Sequence, residues 1–455
     1  MSTLLLYWVV LAIILLVFIV GRGRKSGPLV IGYFFSLSII YVPGILSYTG
    51  AAAGTDNEWL AELGFKMVLT GLVAFLAGAA TGYALEFKPK QAKVLVELDE
   101  RVTAQFGLLI LGIGVVAYFF AIPIAAFIPS ATSLASAAGL LIVVGYWYYL
   151  YYAFKARNIR RIVLGLLSVP LLPLSTMITG GFLGFGTFWL LAICCFAYVV
   201  SKQKVAILVA VPFLVYGGLS FSVAYFADRN VLRENVWQEN TDLSGGLNTV
   251  FGMIANLEPL DINQKEHVTM LLERLNESVL VGTGVANYNY GFVDLVHGAT
   301  VPLWALIPRA IWPDKPVVGG GGDLVSEFTG VTFAADTSVG IGQTLEFFMN
   351  FGQPGVIIGF FIWGVILARF DRALRRGLDD GQLGPILVGG LCGAAMLQPN
   401  GNLLEIMVTT VASFIVAKTF LVTLKSFGAL DRDGRPIARM RKSAFKGNVS
   451  ASRLR

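Results

Sequence analysis

The side chains best suited to chemistry lie close together: His297, Arg309, Asp314 and Lys315 fall within one short stretch, and Glu346 and Asn350 follow soon after it. That stretch has prolines at 302, 308, 313 and 316 and tryptophans at 304 and 312, so no long helix can run through it. It reads as a shaped loop that holds Arg309 and Lys315 as fixed cations. A guanidinium set between Pro308 and Trp312 can pair with phosphate oxygens through two parallel hydrogen bonds, and Lys315 adds a point charge. Such a pair suits a departing pyrophosphate, whose growing negative charge needs stabilising. An attacking hydroxyl must in turn lose a proton, and His297, Asp314 and Glu346 are the groups able to take it. The residues alone do not choose among these three. In the competing reading Arg309 anchors the loop to lipid headgroups, and Asp314 and Lys315 form a solvated pair.

Neighbouring features are weaker. The run Gly319–Gly322 offers backbone amides or a hinge, but no Lys-Ser/Thr follows it as a P-loop requires. His267 follows Lys265 and Glu266 and is expected at a solvated helix face. Asn276-Glu277-Ser278 matches the glycosylation triplet, a pattern too common to carry weight. Cys194, Cys195 and Cys392 lie in apolar runs without metal-ligand spacing, so neither a metal site nor a disulfide framework is expected.

What must position these residues is a membrane bundle. The 455 residues are 56% hydrophobic and only 14% charged, and the mean hydropathy is +0.72, outside the soluble range. Apolar windows of membrane-crossing length recur at 3–20, 28–48, 64–85, 104–128, 134–154, 162–178, 182–200, 205–225, 345–368, 383–398 and 403–424. The expectation is an all-α polytopic membrane protein of about eleven spans. Residues 1–225 form an N-terminal bundle of eight, 226–344 a large outer loop, 345–424 a C-terminal group of three, and 425–455 a basic tail.

Orientation follows from charge. With the N-terminus outside, 26 of the 34 Lys/Arg fall on the cytoplasmic side, nine of them in the tail. The tail's nine bases against Asp431 and Asp433 give a net +7, which accounts for the whole chain's +6 and removes any argument for nucleic acid. Membrane lipids are the expected partner of that tail, and cutting after Ser426 is expected to leave function intact. Within the outer loop, Val268, Leu271, Leu272, Leu275 and Val279 recur at helical spacing behind Asp261, predicting an amphipathic helix over 262–280.

The segments Pro308-Arg-x-x-Trp312-Pro-Asp314-Lys315-Pro and Glu346-x-x-x-Asn350-Phe-Gly-x-x-Gly resemble O-antigen and exopolysaccharide repeat-unit polymerases. The resemblance covers some fifty residues. It implies a bacterial cytoplasmic-membrane glycosyltransferase of the GT-C type that takes a glycan from undecaprenyl pyrophosphate on the outer face, without metal, cofactor or nucleotide sugar. A chain-length regulator protein would be its partner. The family's Arg and Gly separated by ten residues match Arg309 and Gly320. A second copy of that pair in an earlier loop, present in other members, is missing. A ligase using the same donor, or a transporter or flippase without chemistry, are the alternatives; a transporter would show broken or charged helices within the membrane and often internal repeats.

Overall fold

A backbone crossing lipid must satisfy its own amides, so unbroken apolar runs coil into helices. The computed structural model describes residues 1–437 apart from 23–25, 50–52, 56, 86–99, 126, 129–130, 181–182, 203, 238–242, 262–263, 296–311, 313–320, 333–339 and 432. The first helices are α1 (Ser2–Arg22), α2 (Leu29–Ser47), α3 (Glu58–Ala84) and α4 (Glu100–Val116), the last running through a π-helical turn, Ala117–Ala121, into α5 (Ile122–Ala125). Next come α6 (Ala131–Gly139), α7 (Leu141–Lys155), α8 (Ile159–Leu167), α9 (Leu171–Gly180), α10 (Gly184–Val200) and α11 (Lys204–Trp237). Four shorter helices follow, α12 (Leu243–Ala255), α13 (Lys265–Arg274), α14 (Glu277–Asn289) and α15 (Gly321–Thr329). The chain closes with α16 (Gly342–Asp380), α17 (Leu383–Ala395) and α18 (Leu403–Ser426).

Among the described residues there is no strand, only an isolated bridge between Leu430 and Pro436. Nine helical stretches among the described residues are long and apolar enough to cross a membrane. The windows expected at 182–200 and 383–398 are also helical but shorter, Gly186–Val200 and Leu383–Ala395. Helices at the rim turn apolar side chains outward, as α1 does with Leu6, Ile13, Ile14 and Val17 and α11 with Val209, Phe213 and Leu214. This is the surface a lipid-facing helix presents.

The centre of the bundle is the pair α3 and α16. A stripe of glycines on α3, Gly64, Gly71, Gly78 and Gly82, lets backbones approach closely. A Cβ at Gly64 would lie 1.9 Å from the Ser278 carbonyl on α14, and one at Gly78 would lie 2.0 Å from the Phe361 carbonyl on α16. Gly282 on α14 returns the contact, 1.8 Å from the Leu60 carbonyl by the same measure. One face of α3 therefore grips α14 at one end and α16 along the rest.

The helix expected over 262–280 divides in two. It ends as α13 at Arg274, and α14 begins at Glu277 and runs on to Asn289. Asn276 takes φ −124° and ψ 50° at the junction, and its side-chain amide donates to the Tyr48 hydroxyl at 3.0 Å. The division turns α14 onto Gly64, which a straight helix continuing α13 would not reach.

At the end of the bundle remote from α14, the carboxylate of Asp371 is fully buried. It accepts from the Gly27 and Leu29 amides, each at 2.7 Å, and from the Tyr83 hydroxyl. Arg372 donates to the Tyr83 and Leu85 carbonyls at 3.0 and 3.2 Å, and Arg369 to Leu85 at 2.7 Å, so cations close the C-terminus of α3. Arg22 lies over the Tyr83 ring at 4.6 Å. The start of α2, the end of α3 and the later half of α16 are joined here.

The tail begins with a docked hairpin. Leu430 is buried, Arg435 donates to the Asp380 carbonyl at 3.2 Å, and the Leu383 amide donates to the Gly434 carbonyl at 3.0 Å. Truncation after Ser426 would remove these contacts, and truncation after Ile437 would spare them. Cutting after Ile437 should leave the melting temperature of the purified protein unchanged. Cutting after Ser426 should lower it by roughly 2–4 °C, the effect of losing about 1 kcal/mol of buried contact.

Candidate functional site

Of the residues that the sequence nominates, Glu346 and Asn350 are placed in full. His297, Arg309, Asp314, Lys315 and Gly320 lie outside the described residues, and of the proline-rich stretch only Trp312 is described, partly buried. Gly321 and Gly322 of the glycine run open α15 rather than serving as a free hinge. His267 is buried, not solvated: it is 8% exposed, and its Nδ1 accepts from the Asp261 amide at 3.3 Å. That bond closes the turn into α13 and makes His267 a structural residue.

Glu346 sits one turn into α16 and is 8% exposed. Its Oε2 accepts from the Leu403 amide at 2.7 Å, at the start of α18. This amide is one of those a helix leaves unpaired in its first turn, and the positive end of the helix favours a carboxylate there. Asn402 caps the same helix, its side chain accepting from the Glu405 amide at 2.7 Å. Asn350 donates to the Glu346 carbonyl at 2.8 Å. Nearly three turns into α16 the helix breaks: Gly352 takes φ 64° and ψ −157°, and Pro354 follows. Only glycine adopts that conformation without strain. A Cβ at Gly355 would lie 2.4 Å from the Phe347 carbonyl, so Glu346, Asn350, Gly352 and Gly355 of the segment each have a geometric role.

The polar residues Gln398, Asn400 and Asn402 form the break between α17 and α18, and that break is bound to the start of α16. Gln343 is fully buried, accepts from the Tyr33 hydroxyl at 2.9 Å, and donates to the carbonyls of Gln398 and Gly401 at 2.9 and 2.7 Å. The amides of Gly342 and Gln343 add longer bonds to the Asn400 and Pro399 carbonyls. Two interrupted helices, α16 and the α17–α18 pair, thus meet around one carboxylate.

A second carboxylate approaches the same region. Glu277, the first residue of α14, keeps part of its surface exposed, but its carboxyl group is enclosed, which pushes its pKa up to about 8. It neighbours Tyr41 on α2 and Gly342 on α16. Nothing in the sequence distinguishes Glu277 from the other acids of the loop, because its neighbours come from two distant segments. On the opposite face of the α3–α14 contact is a cleft of about 390 Å³ lined by Trp59, Glu62, Leu63, Lys66, Ala286, Asn289 and Tyr290. Lys66 pairs there with Glu62 at 2.8 Å. Aromatic rings, an amide and a cation around a cleft of that size are suited to a sugar or a headgroup.

No group of three or more His, Cys, Asp or Glu side chains able to hold a metal ion is found among the described residues. A family model described as Domain of unknown function (DUF8712) matches residues 29–430. No curated protein and no solved structure matches the chain.

Proposed function

The chain belongs to the DUF8712 family, whose match spans α2 to the tail hairpin, and from its site we propose a membrane transferase that polymerises undecaprenyl-pyrophosphate-linked oligosaccharide repeat units. Glu346 is the base that accepts the proton of the acceptor hydroxyl, and Arg309 and Lys315 stabilise the departing pyrophosphate. Trp312 and Gly320 shape the loop that presents them, and Asn350 supports the turn that carries Glu346. The observation that carries this reading is the fixed Glu346 carboxylate, held on the α18 amide in a segment that resembles the polymerase motif. The eleven-span count and the orientation belong to the same proposal. Arg22, Arg369, Arg372 and Arg435 gather at the end remote from Glu346, which fits the Glu346 end facing outward.

A second reading, a carrier of the lipid-linked unit without chemistry, is favoured by the break in α16 at Gly352 and by the interrupted α17–α18 pair. Deleting the gene separates the two. Loss of long surface polysaccharide with single repeat units retained supports polymerisation. Accumulation of lipid-linked units on the inner leaflet supports the carrier, and unchanged polymer removes both.

A further inference from the structure

Gly342 marks a point that three oxygens surround. A Cβ on it would lie 3.1 Å from the Tyr41 hydroxyl, 3.3 Å from the Pro399 carbonyl and 3.7 Å from Glu277 Oε2. These atoms come from α2, the α17–α18 break and α14, three elements with no sequence proximity. The backbone at Gly342 has φ +66°, so glycine is required twice, for its conformation and for the space.

Around that point the polar accounting does not close. Tyr41 is 1% exposed and Thr344 is fully buried, and among the described residues neither hydroxyl has a hydrogen-bond partner. The two lie near each other, short of hydrogen-bond geometry. Buried hydroxyls without partners beside an enclosed carboxylate are costly unless something polar joins them. Water would satisfy the hydroxyls with Glu277 protonated, whereas a cation satisfies them and holds Glu277 ionised.

We propose that Glu277, Tyr41, Thr344 and the Pro399 carbonyl form a binding site for one dehydrated monovalent cation, Na⁺ in the first instance. The donor set is all oxygen, which suits a hard ion. It carries a single formal charge, so a monovalent ion neutralises it and a divalent ion leaves a surplus. A broken-helix carbonyl beside a carboxylate is the arrangement by which membrane proteins hold such ions. Bound there, the ion ties α2, α14, the start of α16 and the 398–402 break together. The inference does not depend on whether the protein is a transferase or a carrier.

The test is thermal melting of the purified full-length protein in NaCl, KCl and choline chloride at equal ionic strength, together with binding of radiolabelled Na⁺. The site predicts saturable Na⁺ binding and a melting temperature roughly 2–4 °C higher in saturating NaCl than in choline chloride. An equal rise in KCl supports the site and makes it unselective. Glu277→Gln should remove both effects, and Tyr41→Phe, which keeps the ring, should weaken Na⁺ binding by about tenfold or more. Identical melting of the parent in all three salts overturns the proposal, as does Na⁺ binding that survives in Glu277→Gln. If neither variant folds, the parent's own salt dependence decides.

Discussion

Glu346→Gln should lower the rate of repeat-unit transfer by roughly a hundred- to ten-thousand-fold, the usual worth of a positioned general base. The amide keeps an oxygen to accept the Leu403 amide, so the start of α18 should hold and the protein should reach the membrane at parental levels. Only proton acceptance is lost. Glu346→Asp keeps the charge but shortens the side chain by one methylene, which draws the carboxylate away from Leu403, so it should recover part of the rate. The readout is the polymer ladder of a strain carrying each variant, with protein quantified in the membrane fraction. A parental ladder from Glu346→Gln would make the carboxylate a helix cap and nothing more.

The largest effect on stability should come from Asp371→Ala. Its carboxylate is fully buried and satisfies the Gly27 and Leu29 amides and the Tyr83 hydroxyl together. Deleting it leaves three buried donors without an acceptor. Breaking such an arrangement typically costs about 3–5 kcal/mol. Asp371→Asn retains one acceptor and should lose less. The measurement is the melting temperature and monodisperse yield of the detergent-purified protein. Melting of Asp371→Ala within about 1 °C of the parent would mean that the knot contributes little.

How much of this was legible beforehand depended on whether a signal was local. Apolar runs are local, so all eleven windows became helices, although the stretches ending at Val200 and Ala395 fall short of a full crossing. The windows 383–398 and 403–424 left residues 399–402 between them, and these fall in the break between α17 and α18. The helix over 262–280 was misjudged because its apolar spacing continues through Asn276, while the packing of Gly64 against Ser278 divides it. His267 was misjudged because Lys265 and Glu266 before it are polar and its real environment is the turn at Asp261. Glu277 and Asp371 gave no warning at all: their partners lie on helices far away in the chain, and no periodicity encodes such a meeting. The glycines at 64, 71 and 78 have a heptad spacing that was not read as a packing signal, and the structure sets them where α3 meets α14 and α16.

The most direct test is reconstitution of the purified protein into liposomes with lipid-pyrophosphate-linked repeat units on the face that Glu346 approaches. Products are then resolved by length. The account predicts oligomers of two or more repeat units formed at the expense of single units, with free lipid pyrophosphate released in step, and neither formed by Glu346→Gln. Single units that cross the bilayer and remain single would contradict it, and would make the protein a carrier.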